Sequence, residues 1–218
     1  MIVITGASSG IGLEVAKLYK ETGMKVVNVS LHECEHADVN IVKDLREGDG
    51  IQEAARVVDD IEEPLEAVIN CVGVYTHQEF GKITEEEIKR LMASNVKAPM
   101  LLASELIDRI KKDGADVLNV VSKAGTQGSG DNPVYATSKW GERGYTLSLQ
   151  AALKDTPCRV ISFCPGGIRT ELFEKAGADV NTSKWMSPTD IAGLIKQILE
   201  LPKNMEISEI LINRKSVG

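Results

Sequence analysis

Short runs of β-branched and aliphatic residues alternate along the chain with stretches whose apolar positions fall three and four apart. Seven runs read as strands: IVIT at 2–5, KVVNVS at 25–30, NIVKD at 40–44, EAVINCV at 66–72, DVLNVVS at 116–122, RVISFCP at 159–165 and ISEILIN at 207–213. Runs apolar on both faces suit parallel strands covered on both sides. Between them, Ile11, Val15, Leu18 and Tyr19 recur at helical spacing, as do Ile51, Ala55, Val58 and Ile61, then Ile88, Leu91, Met92 and Val96. Such stripes are helix faces lying on a sheet. The alternation predicts one doubly wound α/β domain over residues 1–218 with right-handed crossovers.

Two places depart from this regular pattern. Residues 84–112 are long for one helix, and Pro99 predicts a bend just after Asn95. Only the eight residues LHECEHAD, 31–38, separate the second strand from the third, fewer than the dozen or so a parallel crossover usually takes. The helix expected there is minimal or missing.

With 43% hydrophobic and 26% charged residues, the chain has the make-up of a soluble globular protein. A net charge of −7 argues against a sequence-independent grip on nucleic acid, which needs clustered Lys and Arg. Cys34, Cys71, Cys158 and Cys164 are scattered without a CxxC pair, so reduced core thiols are expected, not a disulfide framework or a metal site. The opening MIVITG has no basic segment followed by an apolar one, and no apolar run reaches membrane-spanning length. A cytoplasmic protein without a membrane partner is the expectation.

The chemistry concentrates at strand ends. The first strand runs into TGASSGIG, residues 5–12, and then into an amphipathic stretch. Gly6, Gly10 and Gly12 permit a tight turn, close approach to a pyrophosphate and close helix packing, while a helix N-terminus offers free N–H groups. This is an anion cradle with the dinucleotide layout. Cofactor choice then turns on the end of the second strand, where an acidic residue would bond a ribose hydroxyl and basic residues would accept a 2′-phosphate. That position reads Ser30, Leu31, His32, Glu33. Ser30 and His32 suit a phosphate and Glu33 a ribose, so both NADP and NAD stand, NADP marginally ahead because the Asp is missing.

Tyr135 and Lys139 lie four apart in YATSK, on one face of a helix, and Ser122 closes the strand DVLNVVS thirteen positions earlier. Ligands of doubly wound sheets bind at the carboxyl ends of strands, so Ser122 shares an edge with the glycine loop. Taken with TGASSGIG, NCVG at 70–73, SNV at 94–96 and PGGIRT at 165–170, the chain resembles the short-chain dehydrogenase/reductase family over nearly its whole length.

The resemblance implies a Rossmann-type sheet of about seven strands in the order 3-2-1-4-5-6-7, with helices on both faces. It implies an NAD(P)-dependent oxidoreductase that moves a hydride between nicotinamide and a small or medium carbonyl or alcohol. Tyr135 would be the general acid or base, its phenol brought down from about 10 by the Lys139 ammonium and the oxidised nicotinamide. Lys139 would also bond the nicotinamide ribose. Ser122 would donate to the substrate oxygen as negative charge develops there. Asn95 would hold a water linking Lys139 to solvent. For the cofactor, the family carries over Gly6, Gly10 and Gly12 with Ser8, Ser9 and Ile11; Asp44 and Leu45 beside the adenine; Asn70, which braces the central strand, and Gly73 in NCVG; and Pro165, Ile168 and Thr170 about the carboxamide. NCVG departs from the usual pattern through Cys71 and Val72, bulkier than the common alanine.

Residues 167–187 are what remains for a substrate lid. Leu172, Phe173, Trp185 and Met186 there could line an apolar pocket or pack on the core, with Tyr75, His77 and Gln127 on neighbouring loops. His77 reads as a surface residue. Two other functions fit parts of the pattern: a dinucleotide-binding regulatory module that retains the site, and a sugar epimerase, which would need a larger C-terminal domain. By analogy with the family, the helix from Pro99 and the helix from Tyr135 would pair across a homodimer or homotetramer.

Overall fold

A computed structural model describes residues 1–215. Seven strands form one parallel sheet in the order β3-β2-β1-β4-β5-β6-β7: β1 (Ile2–Thr5), β2 (Val26–Ser30), β3 (Val39–Val42), β4 (Ala67–Asn70), β5 (Asp116–Val120), β6 (Val160–Pro165) and β7 (Glu209–Ile212). All of β1, β2, β4, β5 and β6 is buried, as expected where both faces carry helices.

The period of two sends neighbouring residues into different cores. Ile2, Ile4, Ile69, Leu118 and Phe163 meet Val15 and Tyr19 of α1 (Gly10–Glu21) and Ile191 and Ile195 of α8 (Pro188–Leu199). On the other face, Val3, Val27, Val68 and Val117 meet Ile51 and Val58 of α2 (Gly48–Asp59), Leu102 of α4 (Ala98–Glu105), Ile110 of α5 (Ile107–Asp113) and Leu153 of α6 (Pro133–Leu153). Each such side chain contributes roughly 1.5–3 kcal/mol by leaving water, before the entropy of ordering it is subtracted.

The long helical stretch corrects the sequence reading. Instead of one helix bent at Pro99, there are α3 (Glu85–Met92), a π turn at Ala93–Lys97, α4 and α5, with a second break at Leu106. Pro99 sits in the first turn of α4, where its missing N–H is tolerated. That missing N–H would ordinarily bond the carbonyl of Asn95, four residues back, so the widened turn falls just where the α-helical ladder lacks a rung.

No helix joins β2 to β3. Side-chain amides hold the crossover together: Asn28 donates to Asn40 Oδ1 at 2.8 Å and to the His32 carbonyl at 2.9 Å, and Asn40 Oδ1 also accepts from the Cys34 N–H at 2.8 Å. Among the described residues no helix is long and apolar enough to cross a membrane, and all four cysteines are free thiols.

Candidate active site

The strand order reverses between β1 and β4, and the loops leaving their carboxyl ends border a cavity of about 760 Å³. The glycine loop lies at one end. Gly6 adopts φ +74°, in the left-handed region, and a side chain there would press on the Val72 N–H. A Cβ on Gly12 would overlap the Gly6 carbonyl, so this glycine lets α1 seat directly on the loop. Ser9 precedes α1 without a side-chain capping bond, leaving the first-turn N–H groups to face the cavity lined by Ser8, Ser9, Gly10 and Ile11. This cradle fits the pyrophosphate of a dinucleotide: unfilled donors, a dipole end and no side chain in the way.

The same cavity reaches Ser122, Tyr135 and Lys139. Ser122 leaves β5, and its Oγ accepts the Ala124 N–H at 3.1 Å, which keeps the hydroxyl hydrogen available to a ligand. Tyr135 and Lys139 stand one turn apart at the start of α6, both nearly buried. Lys139 Nζ donates to Glu142 Oε2 at 2.6 Å and to the Val120 carbonyl at 3.2 Å, leaving one of its three hydrogens for a ligand. Burial works against this ammonium, yet its pKa is raised, chiefly by the Glu142 carboxylate and then by Tyr135.

Asn95 does its work from the side chain. Its Oδ1 accepts the Val74 N–H at 2.8 Å, and its amide donates to the Val74 carbonyl at 3.0 Å and to Ser138 Oγ at 2.9 Å. Ser138 in turn donates to the Tyr135 carbonyl. The loop after β4 is thereby tied to the turn of α6 that carries Tyr135 and Lys139. Gly73 lies against the same point, its missing Cβ 3.4 Å from Lys139 Nζ.

Gly73, Ser30, Pro165, Ile168 and Thr170 also line the cavity, with Cys71 and Val72 beside them. Ser30 is partly spent, for its hydroxyl faces Asn28 Oδ1 at 2.8 Å and the His32 carbonyl at 2.7 Å. Leu31, His32 and Glu33 are exposed beyond it. The lining does not include Gly12, Asp44, Leu45, Asn70 or Asn95. Leu45 is buried in the core, and the Asp44 carboxylate is gripped by the Arg46 guanidinium, which holds its pKa down. Asn70 braces the sheet, accepting from Thr5 Oγ1 at 3.3 Å and donating to Asn119 Oδ1 at 2.7 Å.

Over the site, residues 167–187 fold into one short helix, α7 (Leu172–Lys175), pinned where Ile168 bridges Met186. Phe173 brings its ring to 4.5 Å from Tyr75 and 4.8 Å from Trp185, and Tyr75 meets Tyr135 edge-on at 4.9 Å. Leu172, Phe173 and Trp185 line the cavity, Met186 packs on the core and His77 is exposed. Trp140, next to Lys139 on α6, is 45% exposed. Glu142, Ser138 and the Tyr75–Tyr135 contact were missed in sequence; a carboxylate one turn past a key lysine was the available signal.

Known proteins agree with this architecture. The family model for short chain dehydrogenases matches residues 1–181. An uncharacterized oxidoreductase of Thermotoga maritima is 33% identical over 182 residues, covering 78% of this chain and 72% of that protein. A short-chain dehydrogenase/reductase structure from Vibrio parahaemolyticus superposes with a TM-score of 0.86 at 27% identity, over 99% of this chain and 100% of the other. An alcohol dehydrogenase from the archaeon Thermococcus sibiricus, complexed with 5-hydroxy-NADP, shares the fold with a TM-score of 0.86 at 19% identity, over 98% and 96% of the two chains. The topology, the cradle at its switch point and the family match converge, and the chain belongs to the short-chain dehydrogenase family of oxidoreductases.

Proposed function

We propose that the protein transfers a hydride between a nicotinamide dinucleotide and a small or medium carbonyl or alcohol, with Tyr135 moving the proton. The observation that carries this reading is one cavity reaching from the glycine cradle to Ser122, Tyr135 and Lys139. The nicotinamide, when bound, supplies or takes the hydride. Ser122 donates its hydroxyl hydrogen to the substrate oxygen, and Tyr135 delivers a proton to that oxygen or removes one. Lys139 offers its third N–H to the cofactor ribose. Phe173, Trp185 and Leu172 exclude water from an apolar substrate body.

NADP is favoured marginally over NAD, because the end of β2 offers Ser30 and His32 and no aspartate at that position, while Glu33 would suit a ribose. Tyr135→Phe keeps the ring packed on Tyr75 and removes only the proton carrier. It is expected to cut turnover at least a thousandfold with dinucleotide affinity within about twofold. Wild-type turnover in this variant across a panel of aldehydes and ketones would refute the mechanism. Self-association through α4 and α6 belongs to the same proposal, supported by Met100, Leu101, Trp140 and Leu147 exposed on those helices. Light scattering that gives a monomer at micromolar concentration would refute it.

A further inference from the structure

Glu142 has no place in the chemistry above, yet it is fully buried one turn beyond Lys139. Its Oε2 holds the Lys139 ammonium at 2.6 Å, while Oε1 is buried with no hydrogen-bond partner among the described residues. A carboxylate in such a place is expensive: burial taxes the charge, and a lone pair facing no donor adds to the cost. Helix stability does not require it, since a pair three residues apart contributes little to a helix. An apolar side chain there would leave the buried Lys139 ammonium with the Val120 carbonyl alone, so the carboxylate is explained by what it does to Lys139.

Its effect reaches the proton carrier through Lys139. That lysine has two fixed acceptors, Glu142 and the Val120 carbonyl, and they aim its third hydrogen at the cavity. The ionisable groups facing the pair are Tyr135 and Tyr145 on α6, Cys71 beyond β4 and Cys164 on β6. Burial pushes the Cys71 thiol up to about 12 and raises Cys164 and Tyr145 as well, so these three stay neutral. The charge beside Tyr135 is therefore set by Lys139 and Glu142 together.

We propose that Glu142 is a positioning residue of the active site, whose carboxylate both aims Lys139 and offsets part of its charge, thereby setting the pH at which Tyr135 exchanges its proton. The proposal rests on the role given to Tyr135 above, and its test does not need turnover. Glu142→Gln keeps the shape and removes the charge. With the ammonium no longer offset, tyrosinate at position 135 is better stabilised.

The measurement is tyrosinate absorbance against pH, taken as the difference between each protein and the same protein carrying Tyr135→Phe. The half-point is expected about one pH unit lower in Glu142→Gln than in wild type. Glu142→Asp, which draws the carboxylate back by one methylene, is the second variant, with a half-point between the two. A half-point unmoved or raised in a variant that folds overturns the proposal. Loss of the fold in both variants also overturns it, by making the carboxylate structural. A carbonyl panel run alongside separates the two claims. A wild-type protein that turns over nothing, yet shows the shift, retires the proposed function and keeps the role of Glu142.

Discussion

Two buried ion pairs sit at opposite edges of the same sheet and are built on different rules. At the amino edge, Asp116 opens β5 and Arg159 precedes β6, both nearly inaccessible. Arg159 reaches Asp116 through Nε at 3.1 Å and a terminal nitrogen at 2.6 Å, and gives its other donors to the carbonyls of Leu199, Leu201, Pro202 and Met205. Lys203 adds a third contact to Asp116 at 2.9 Å. At the carboxyl edge, Lys139 keeps one hydrogen free and Glu142 one oxygen. The first pair is closed and ties down the chain after α8. The second leaves a donor of Lys139 unused where that residue lines the cavity.

Arg159→Met tests the closed pair most severely. It takes the guanidinium from the Asp116 carboxylate, leaving Lys203 as its cation, and strips four carbonyls of their donor, and we expect a loss of about 3–5 kcal/mol. In a chain of this size that lowers the melting temperature by on the order of 10 °C, readable by calorimetry. A shift of only a degree or two would mean that Lys203 and water replace the guanidinium, and the contrast between the edges would fail.

Lys139→Met makes the corresponding cut at the open edge, and a smaller loss is expected there because Glu142 can take up a proton. Burial raises the Glu142 pKa, with Lys139 acting against it. With the lysine gone, the folded chain binds a proton that the unfolded chain releases above the ordinary carboxylate range. Stability therefore falls as pH rises, by about 2 kcal/mol between pH 5 and pH 8. Urea denaturation at both pH values checks this, and a flat response would place Glu142 in contact with a compensating group after all. The smallest effect belongs to an exposed pair. Lys89→Ala, which removes the partner of Glu85 on α3, should move the melting temperature by less than about 1 °C. A larger change would show that burial is not what separates the pairs.

The strands were open to reading in the sequence, because β-branched runs announce a buried parallel sheet whatever the rest of the chain does, whereas the closed pair that joins two of them was not. Ser122, Tyr135 and Lys139 were legible for a similar reason, as spacing on one helix and position at a strand end fix who meets whom. What failed depends on contacts through space. Residues 84–112 carry a helical stripe that gives no sign of the π turn or of the break at Leu106. Glu142 sits in the polar run GERG, which reads as a solvent face until α6 is laid against β6.

The bonds of Asn95 divide the site mechanically. Three hydrogen bonds from a single amide weld the loop after β4 to α6, so the floor of the cavity, with Tyr135 and Lys139, is braced from two sides. The roof is attached far more lightly. Residues 169–185 leave and rejoin the body at the Ile168–Met186 bridge, where the Arg169 N–H donates to the Met186 carbonyl at 2.9 Å and the Met186 N–H to the Gly167 carbonyl at 3.3 Å. Rings, rather than backbone bonds, join that roof to the floor at Tyr75. The two sides of the cavity are thus fastened differently: side-chain amide bonds brace the floor that carries Tyr135 and Lys139, whereas the plate above it rests on one short bridge and on aromatic contacts.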